Sequence, residues 1–95
     1  MERGAMSILA EEEVVRIARA AGEANNLSIT AVSTAPAVDS TGTSAIDIKI
    51  VLTPGSSASI MGLPSANTTS QIIRQIADEG DERFPIIRFE EQGAA

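Results

Sequence analysis

Hydrophobic and polar residues alternate most regularly between residues 44 and 54. Every second position is a large aliphatic residue: Ile46, Ile48, Ile50 and Leu52. The residues between them are Asp47, Lys49 and Val51. An alternation with period two is typical of a β-strand that buries one face in the core and leaves the other mostly in contact with water. The pattern predicts that this stretch is the core strand around which the chain is organised.

A second stretch has the spacing of three and four that is typical of an amphipathic helix. Within residues 8–24 the apolar stripe consists of Ala10, Val14, Ile17, Ala18 and Ala21. Ser7 is the predicted N-cap of this helix. Asn25 and Asn26 tolerate left-handed backbone geometry, so we expect the helix to end there.

A second helical stripe consists of Ile72, Ile73, Ile76 and Ala77. The sequence of residues 68–71 fits a capping box in which Thr68 is the N-cap. Gly80 suits the position after the helix, because glycine adopts positive φ without a Cβ penalty. The pattern predicts a helix that begins after Thr68 and ends before Gly80.

Two further strands are predicted at residues 27–38 and 83–91, the second of which is apolar on both faces. The turn residues at 39–43 join the first of them to the core strand, so these two strands should pair as an antiparallel hairpin. Pro36 and Pro85 cannot donate a backbone hydrogen bond, so each indicates either an edge strand or a part of its strand that is outside the hydrogen-bonded ladder: the end of the first strand at Pro36, and the first residues of the last strand at Pro85.

The order helix, strand, strand, helix, strand predicts the α+β fold class. We expect a small αββαβ domain with a three-stranded mixed sheet and two helices packed on one face. A helix connects the last strand to the core strand, so if these two strands run parallel, the crossover between them should be right-handed. Residues 7–91 are the predicted domain, with a flexible leader at 1–6 and a frayed tail at 92–95.

The face of the sheet opposite the helices also needs a cover in this fold. Either a second subunit or the loop after the core strand would cover it.

That loop, from residue 54 to about residue 67, is rich in Gly and Ser and long for a small domain, and long loops are often functional. Because the free amides at a helix N-terminus bind anions, it is a candidate ligand site. The residues that would contact the ligand are Gly55, Ser56, Met61 and Thr68. The loop lacks the lysine of a phosphate-binding motif, and the alternative is that its apolar residues only pack on the domain.

Charge and composition exclude several classes of function. The chain has 95 residues, a formal net charge of −6 and neither Cys nor His, so it has no disulfides, thiol nucleophiles or imidazole bases. The acidic balance disfavours binding to nucleic acid and to anionic membranes, and no apolar run is long enough for a membrane span. We expect a soluble cytoplasmic protein with no cofactor, no metal and no membrane or nucleic-acid partner.

Asp39, Asp47 and Lys49 form the one pattern that suggests catalysis. Nucleases of the PD-(D/E)xK class place an acid near one strand and an acid, a spacer and a lysine on the next, an order that this sequence resembles. In such a site two carboxylates would hold Mg²⁺, and the lysine would stabilise charge at the attacked phosphate. The competing interpretation is that Asp47 and Lys49 are ordinary polar residues on the wet face of a strand.

A run of carboxylates occupies residues 78–82. It lacks the alternating ligand spacing of a calcium-binding loop. We interpret it as a solvated helix end.

These features favour a non-catalytic protein-interaction module: an adaptor, accessory or regulatory subunit that self-associates as a homodimer or docks on another protein. The predicted interface residues are Phe84, Ile86, Ile87, Phe89 and Val51. One alternative is a metal-dependent nuclease that uses Asp39, Asp47 and Lys49. The other is an acidic inhibitor or immunity-type protein that occupies the basic site of a partner.

Overall fold

The computed structural model describes residues 8–56 and 60–93. Its elements in chain order are α1 (Glu11–Ala24), β1 (Ile29–Val38), β2 (Ser44–Leu52), α2 (Leu63–Asp78) and β3 (Phe84–Glu91). The predicted fold class is confirmed, because two helices and a three-stranded mixed sheet in the order αββαβ form a small α+β domain. Within the described residues, neither helix has the length and apolar composition needed to cross a membrane.

β2 is the central strand of the sheet, with β1 and β3 at the two edges. β1 is joined to β2 by a short turn and pairs with it antiparallel. β3 follows α2 and pairs with β2 parallel. Pro36 lies in β1 and Pro85 in β3, so both prolines are in edge strands, the first of the two predicted alternatives, and a missing N–H is tolerated there.

Both helices pack on one face of the sheet, which we call the inner face. Its centre consists of the alternating aliphatic residues of β2, all of them 3% exposed or less: Ile46, Ile48, Ile50 and Leu52. The helical stripes meet them through buried side chains of α1 and α2: Val14, Ile17, Ala18, Ala21, Ile72 and Ile76. Burial of a large aliphatic side chain contributes about 1.5–3 kcal/mol, so this layer is the main hydrophobic core.

Both helices end at the predicted residues, and neither begins at its predicted N-cap. Asn25 is the C-cap of α1, Asn26 has a φ of 66°, and Gly80 after α2 has a φ of 90°. α1 has Ala10 as its N-cap, without a side-chain cap. The predicted cap Ser7 lies outside the described residues.

The start of α2 corrects the prediction from the capping box. The helix begins at Leu63, with Gly62 as its N-cap and Pro64 in its first turn, where the fixed φ of proline suits a helix and its missing N–H is not needed. Thr68 is therefore inside the helix. Its side chain is fully buried, and its hydroxyl donates to the Pro64 carbonyl oxygen at 2.7 Å. Ile60, which precedes α2, packs against the core.

Asp81 and Arg83 form a buried ion pair between α2 and β3. Arg83 Nη2 donates to Asp81 Oδ2 at 2.6 Å and Nε donates to Oδ1 at 3.0 Å, and Asp81 is 2% exposed. The Leu9 amide donates to Asp81 Oδ2 at 3.1 Å, which ties the segment before α1 to this junction. These bonds, first of all those from Arg83, hold the pKa of Asp81 below its usual value. The interpretation of residues 78–82 as a solvated helix end is therefore wrong at Asp81.

Candidate functional site

The face of the sheet opposite the helices, which we call the outer face, is the candidate functional site. Because side chains alternate between the two faces of a strand, the register assigns to it Ala31, Ser33, Ala35 and Ala37 of β1, Ala45, Asp47, Lys49 and Val51 of β2, and Phe84, Ile86, Arg88 and Glu90 of β3. In residues 8–56 and 60–93, no helix or further strand packs over these side chains.

The register arranges the outer-face side chains in rows across the three strands. One row consists of Ser33, Lys49 and Arg88. The next row consists of Ala35, Asp47 and Ile86. Neighbouring strands are about 4.8 Å apart, and residues two apart on one strand are separated by about 6.7 Å. The two rows therefore form one continuous patch at the centre of the face.

Apolar side chains of the outer face remain in contact with solvent. Phe84 is 58% exposed, Ile86 and Val51 are half-buried, and Ala35 on the edge strand is exposed. Ala45 is the exception, since it is 1% exposed although it lies outside the core cluster under the helices. The face thus carries an apolar component that none of the described elements covers.

The charged residues of the outer face balance one another. Asp47 and Glu90 are acidic and Lys49 and Arg88 are basic, so their formal charges cancel and the net charge of −6 arises elsewhere in the chain. Lys49 Nζ lies 4.0 Å from Glu90 Oε1, and both side chains are exposed. An exposed ion pair contributes about 0–1 kcal/mol. Ser33, Asp47, Lys49 and Arg88 line a shallow depression of about 160 Å³.

The predicted interface residues divide between the two faces of the sheet. Phe84, Ile86 and Val51 lie on the outer face. Ile87 and Phe89 lie on the inner face and pack against the core. Core packing therefore explains the apolar residues on the inner side of β3 and leaves those on its outer side unexplained.

Asp39 is not brought together with the pair Asp47 and Lys49. Asp39 Oδ1 accepts hydrogen bonds from the Thr41 hydroxyl at 2.7 Å and from the Thr41 and Thr43 amides at 2.9 Å each, which shapes the hairpin turn. These bonds, first of all the one from the hydroxyl, hold the pKa of Asp39 below its usual value. At the rise of a β-strand, Asp47 is about 13 Å farther along the hairpin. Within the described ranges, no three metal-binding side chains are placed to hold a metal ion.

Two of the predicted loop contacts bind a carboxylate of this chain. The Gly55 and Ser56 amides both donate to Glu91 Oε2, the second at 3.0 Å. The loop amides thus form a small anion-binding corner that holds the side chain at the end of β3. Met61 is 87% exposed. Thr68 is buried inside α2, so it cannot contact a ligand from the surface.

Sequence reasoning missed the roles of Asp81 and Glu91. Both carboxylates are bound by backbone amides far away in the chain, at Leu9 and at the loop after β2. For Asp81 one local signal exists, since an acid directly after the helix-ending glycine has an arginine two residues later. For Glu91 no local pattern distinguishes it from its neighbour Glu90.

The arrangement as a whole is a mixed apolar and polar face of the sheet, with charges that cancel at its centre. Comparisons of the chain with protein-family models, with curated proteins and with solved structures find no match.

Proposed function

We propose that this chain is a non-catalytic protein-interaction module that self-associates through the outer face of its sheet. The observation that carries the proposal is the apolar group of Phe84, which is 58% exposed, and of the half-buried Ile86 and Val51, which none of the described elements covers. Association with a second protein surface would remove these side chains from water. An adaptor, accessory or regulatory subunit is the class of protein that such a surface serves.

The described geometry favours neither alternative function. In a nuclease, the Asp39 carboxylate would have to bind a metal ion, but it accepts three hydrogen bonds within its own turn. In an acidic inhibitor, the apolar outer face would be expected to carry negative charge toward a basic partner, whereas its formal charges cancel.

Analytical ultracentrifugation of matched variants tests the proposal. The double variant Phe84→Ser/Ile86→Ser removes apolar surface from the outer face. The control Met61→Ser/Leu63→Ser removes side chains that are 87% and 75% exposed and lie away from the sheet. Sedimentation velocity is measured from about 10 μM to 1 mM, the range in which small interfaces assemble.

We expect wild type and the control to show the same concentration-dependent increase in sedimentation coefficient. We expect the outer-face variant to remain monomeric while its circular dichroism spectrum stays that of the folded wild type. If the outer-face variant assembles as wild type does, or if wild type is monomeric throughout, self-association through this face is wrong.

A further inference from the structure

We propose that the occupant of the outer face is a second copy of this chain, placed antiparallel across β2 so that Asp47 of each copy faces Lys49 of the other. The inference rests on the proposed function and specifies its partner and geometry. It starts from two charged residues that lie side by side on the uncovered face of the central strand.

The register of β2 supplies the geometry. Asp47 and Lys49 both point to the outer face, and Ile48 between them points into the core, where it is fully buried. In a two-fold dimer each contact occurs twice with the residues exchanged. A two-fold axis that lies between the two sheets, perpendicular to β2 at Ile48, brings each Asp47 opposite Lys49 of the second copy.

The other way to pack two such faces has the opposite effect. A two-fold axis that runs along β2 would place Asp47 on Asp47 and Lys49 on Lys49. Like charges that face each other across an interface suppress association. The two charges therefore select the antiparallel arrangement over the parallel one.

The shape of the face agrees with the antiparallel arrangement. In the antiparallel arrangement, the row that contains Asp47 and Ile86 faces the row of the second copy that contains Lys49 and Arg88. The depression of about 160 Å³ beside these two basic residues is also lined by Ser33, Ala35 and Asp47 of the same copy. In the dimer the Asp47 side chain of the second copy faces Lys49 and Arg88 at the edge of this depression, and it does not enter the part that Asp47 of the first copy lines.

The distribution of charge allows a second copy to bind at this face and disfavours a basic partner there. Two copies that each carry −6 repel one another, so they can approach only where the local charge does not add to the repulsion. The outer face fulfils this condition, because the charges of Asp47, Glu90, Lys49 and Arg88 cancel. A basic partner would instead be attracted to the acidic surface elsewhere on the chain.

The dimensions of the face predict a weak complex. Three strands about 4.8 Å apart and about 23 Å long present roughly 330 Å² of projected area. A standard interface buries about 800 Å² per partner. We therefore expect association at high micromolar concentration, where a loss or gain of two charge contacts is easily measured.

Charge reversals test the pairing by sedimentation equilibrium at an ionic strength of about 0.1 M, where the repulsion between the net charges is screened beyond about 10 Å. Asp47→Lys and Lys49→Asp should each weaken association by about tenfold or more, because each creates two like-charge contacts. The swapped variant Asp47→Lys/Lys49→Asp should recover the affinity of wild type. An equimolar mixture of the two single variants should form a mixed dimer more tightly than either variant forms a dimer alone.

Two control variants separate this pairing from an effect of net charge. Asp78→Lys and Arg74→Asp change the net charge by the same amounts at exposed positions of α2. If net charge alone governed association, Asp47→Lys and Asp78→Lys would both strengthen it by reducing the repulsion. The pairing predicts instead that Asp47→Lys weakens association although it lowers the negative charge.

The outcomes distinguish this inference from the proposed function. If Phe84→Ser/Ile86→Ser abolishes association but Asp47→Lys and Lys49→Asp do not weaken it, the antiparallel pairing is wrong and the outer face remains the interface. If the wild-type chain is monomeric at every concentration, both the second copy and self-association are wrong.

Discussion

The carboxylate of Asp81 and the guanidinium of Arg83 are in direct contact inside the fold, with Nη2 2.6 Å from Oδ2. The same carboxylate accepts the amide hydrogen of Leu9, and Arg83 Nη2 lies 3.4 Å from the Leu9 carbonyl oxygen. The pair therefore connects the segment before α1 to the segment between α2 and β3. We expect it to be a major determinant of stability.

Removal of one partner of this ion pair should strongly destabilise the fold. Asp81→Asn and Arg83→Met are each expected to lower the free energy of unfolding by about 3–5 kcal/mol, because the remaining charge is left buried without its partner. The double variant should lose less than the two single losses together. Urea unfolding measures these values, and Glu82→Gln, at an exposed neighbouring position, is the control with an expected change within about 0.5 kcal/mol. Additive losses would contradict the pairing.

The lowered pKa of Asp81 predicts a dependence of stability on pH. A carboxyl group whose pKa is lower in the folded state stabilises the fold above its unfolded pKa, about 3.9, and this contribution is lost as the pH falls through the folded value. The difference in unfolding free energy between wild type and Asp81→Asn should therefore be constant from about pH 7 to pH 5 and decrease below about pH 4. Urea unfolding at a series of pH values measures it. A difference that persists at the lowest pH would show that ionisation of Asp81 is not its source.

Substitutions on the two faces of β2 should have unequal effects. Ile50 is fully buried on the inner face, so Ile50→Ala should cost about 2–5 kcal/mol through lost burial and a new cavity. Val51 is half-buried on the outer face, and Val51→Ala should cost about 1 kcal/mol or less in the monomer. Urea unfolding at low protein concentration tests this. Similar losses for both variants would mean that the outer face is also a packed core.

Two substitutions of Asp39 separate a role in the turn from a role in metal binding. Asp39→Asn keeps the side-chain oxygen that accepts three hydrogen bonds, whereas Asp39→Ala removes it. We expect the thermal unfolding midpoint to fall more for Asp39→Ala than for Asp39→Asn. Addition of Mg²⁺ should leave all midpoints unchanged. A midpoint of wild type that rises with Mg²⁺, and does not rise for Asp39→Asn, would restore the nuclease interpretation.

The contact of Glu91 with the loop after β2 should control the local opening of that loop. Glu91→Ala leaves the Gly55 and Ser56 amides without their acceptor. Hydrogen exchange should therefore accelerate at these two amides while exchange in β2 stays unchanged. Glu90→Ala is the matched control, because Glu90 lies on the outer face, where its carboxylate is 4.0 Å from Lys49 Nζ. Equal exchange in both variants would show that Glu91 does not hold the loop.

The periodicity of the sequence predicts most of the fold. The alternation from Ile46 to Leu52 identifies the core strand, because the hydrophobic period is a local signal, whereas the sequence leaves the order of the strands in the sheet open and Pro36 and Pro85 only favour edge positions. The start of α2 is mispredicted because two signals compete: a capping box at Thr68 and a proline at Pro64. The proline start prevails, and Thr68 satisfies its hydroxyl within the helix.

The candidate site can be predicted only in part from the sequence, because the residues that form it depend on which strands become neighbours in the sheet. The sequence indicates that Asp47 and Lys49 share a face, but Arg88 joins them only through parallel pairing across the sheet. In the same way, the sequence shows that β3 is apolar on both sides, but it does not indicate which side packs against the helices. The contact between Asp81 and Leu9 is likewise a product of tertiary structure.

The parallel pairing of β3 with β2 has a consequence for the order of folding. β1 and β2 are joined by a short turn, so their hairpin can form as soon as both are synthesised. Ala45 can pair with Phe84 only after α2 has formed and packed across the sheet. Such long-range pairing is slow, because the chain between the two strands must first be brought into a closed loop. Until then one edge of the most hydrophobic strand is unpaired. The interval before β3 docks is therefore the stage of folding at which this chain is most exposed to aggregation.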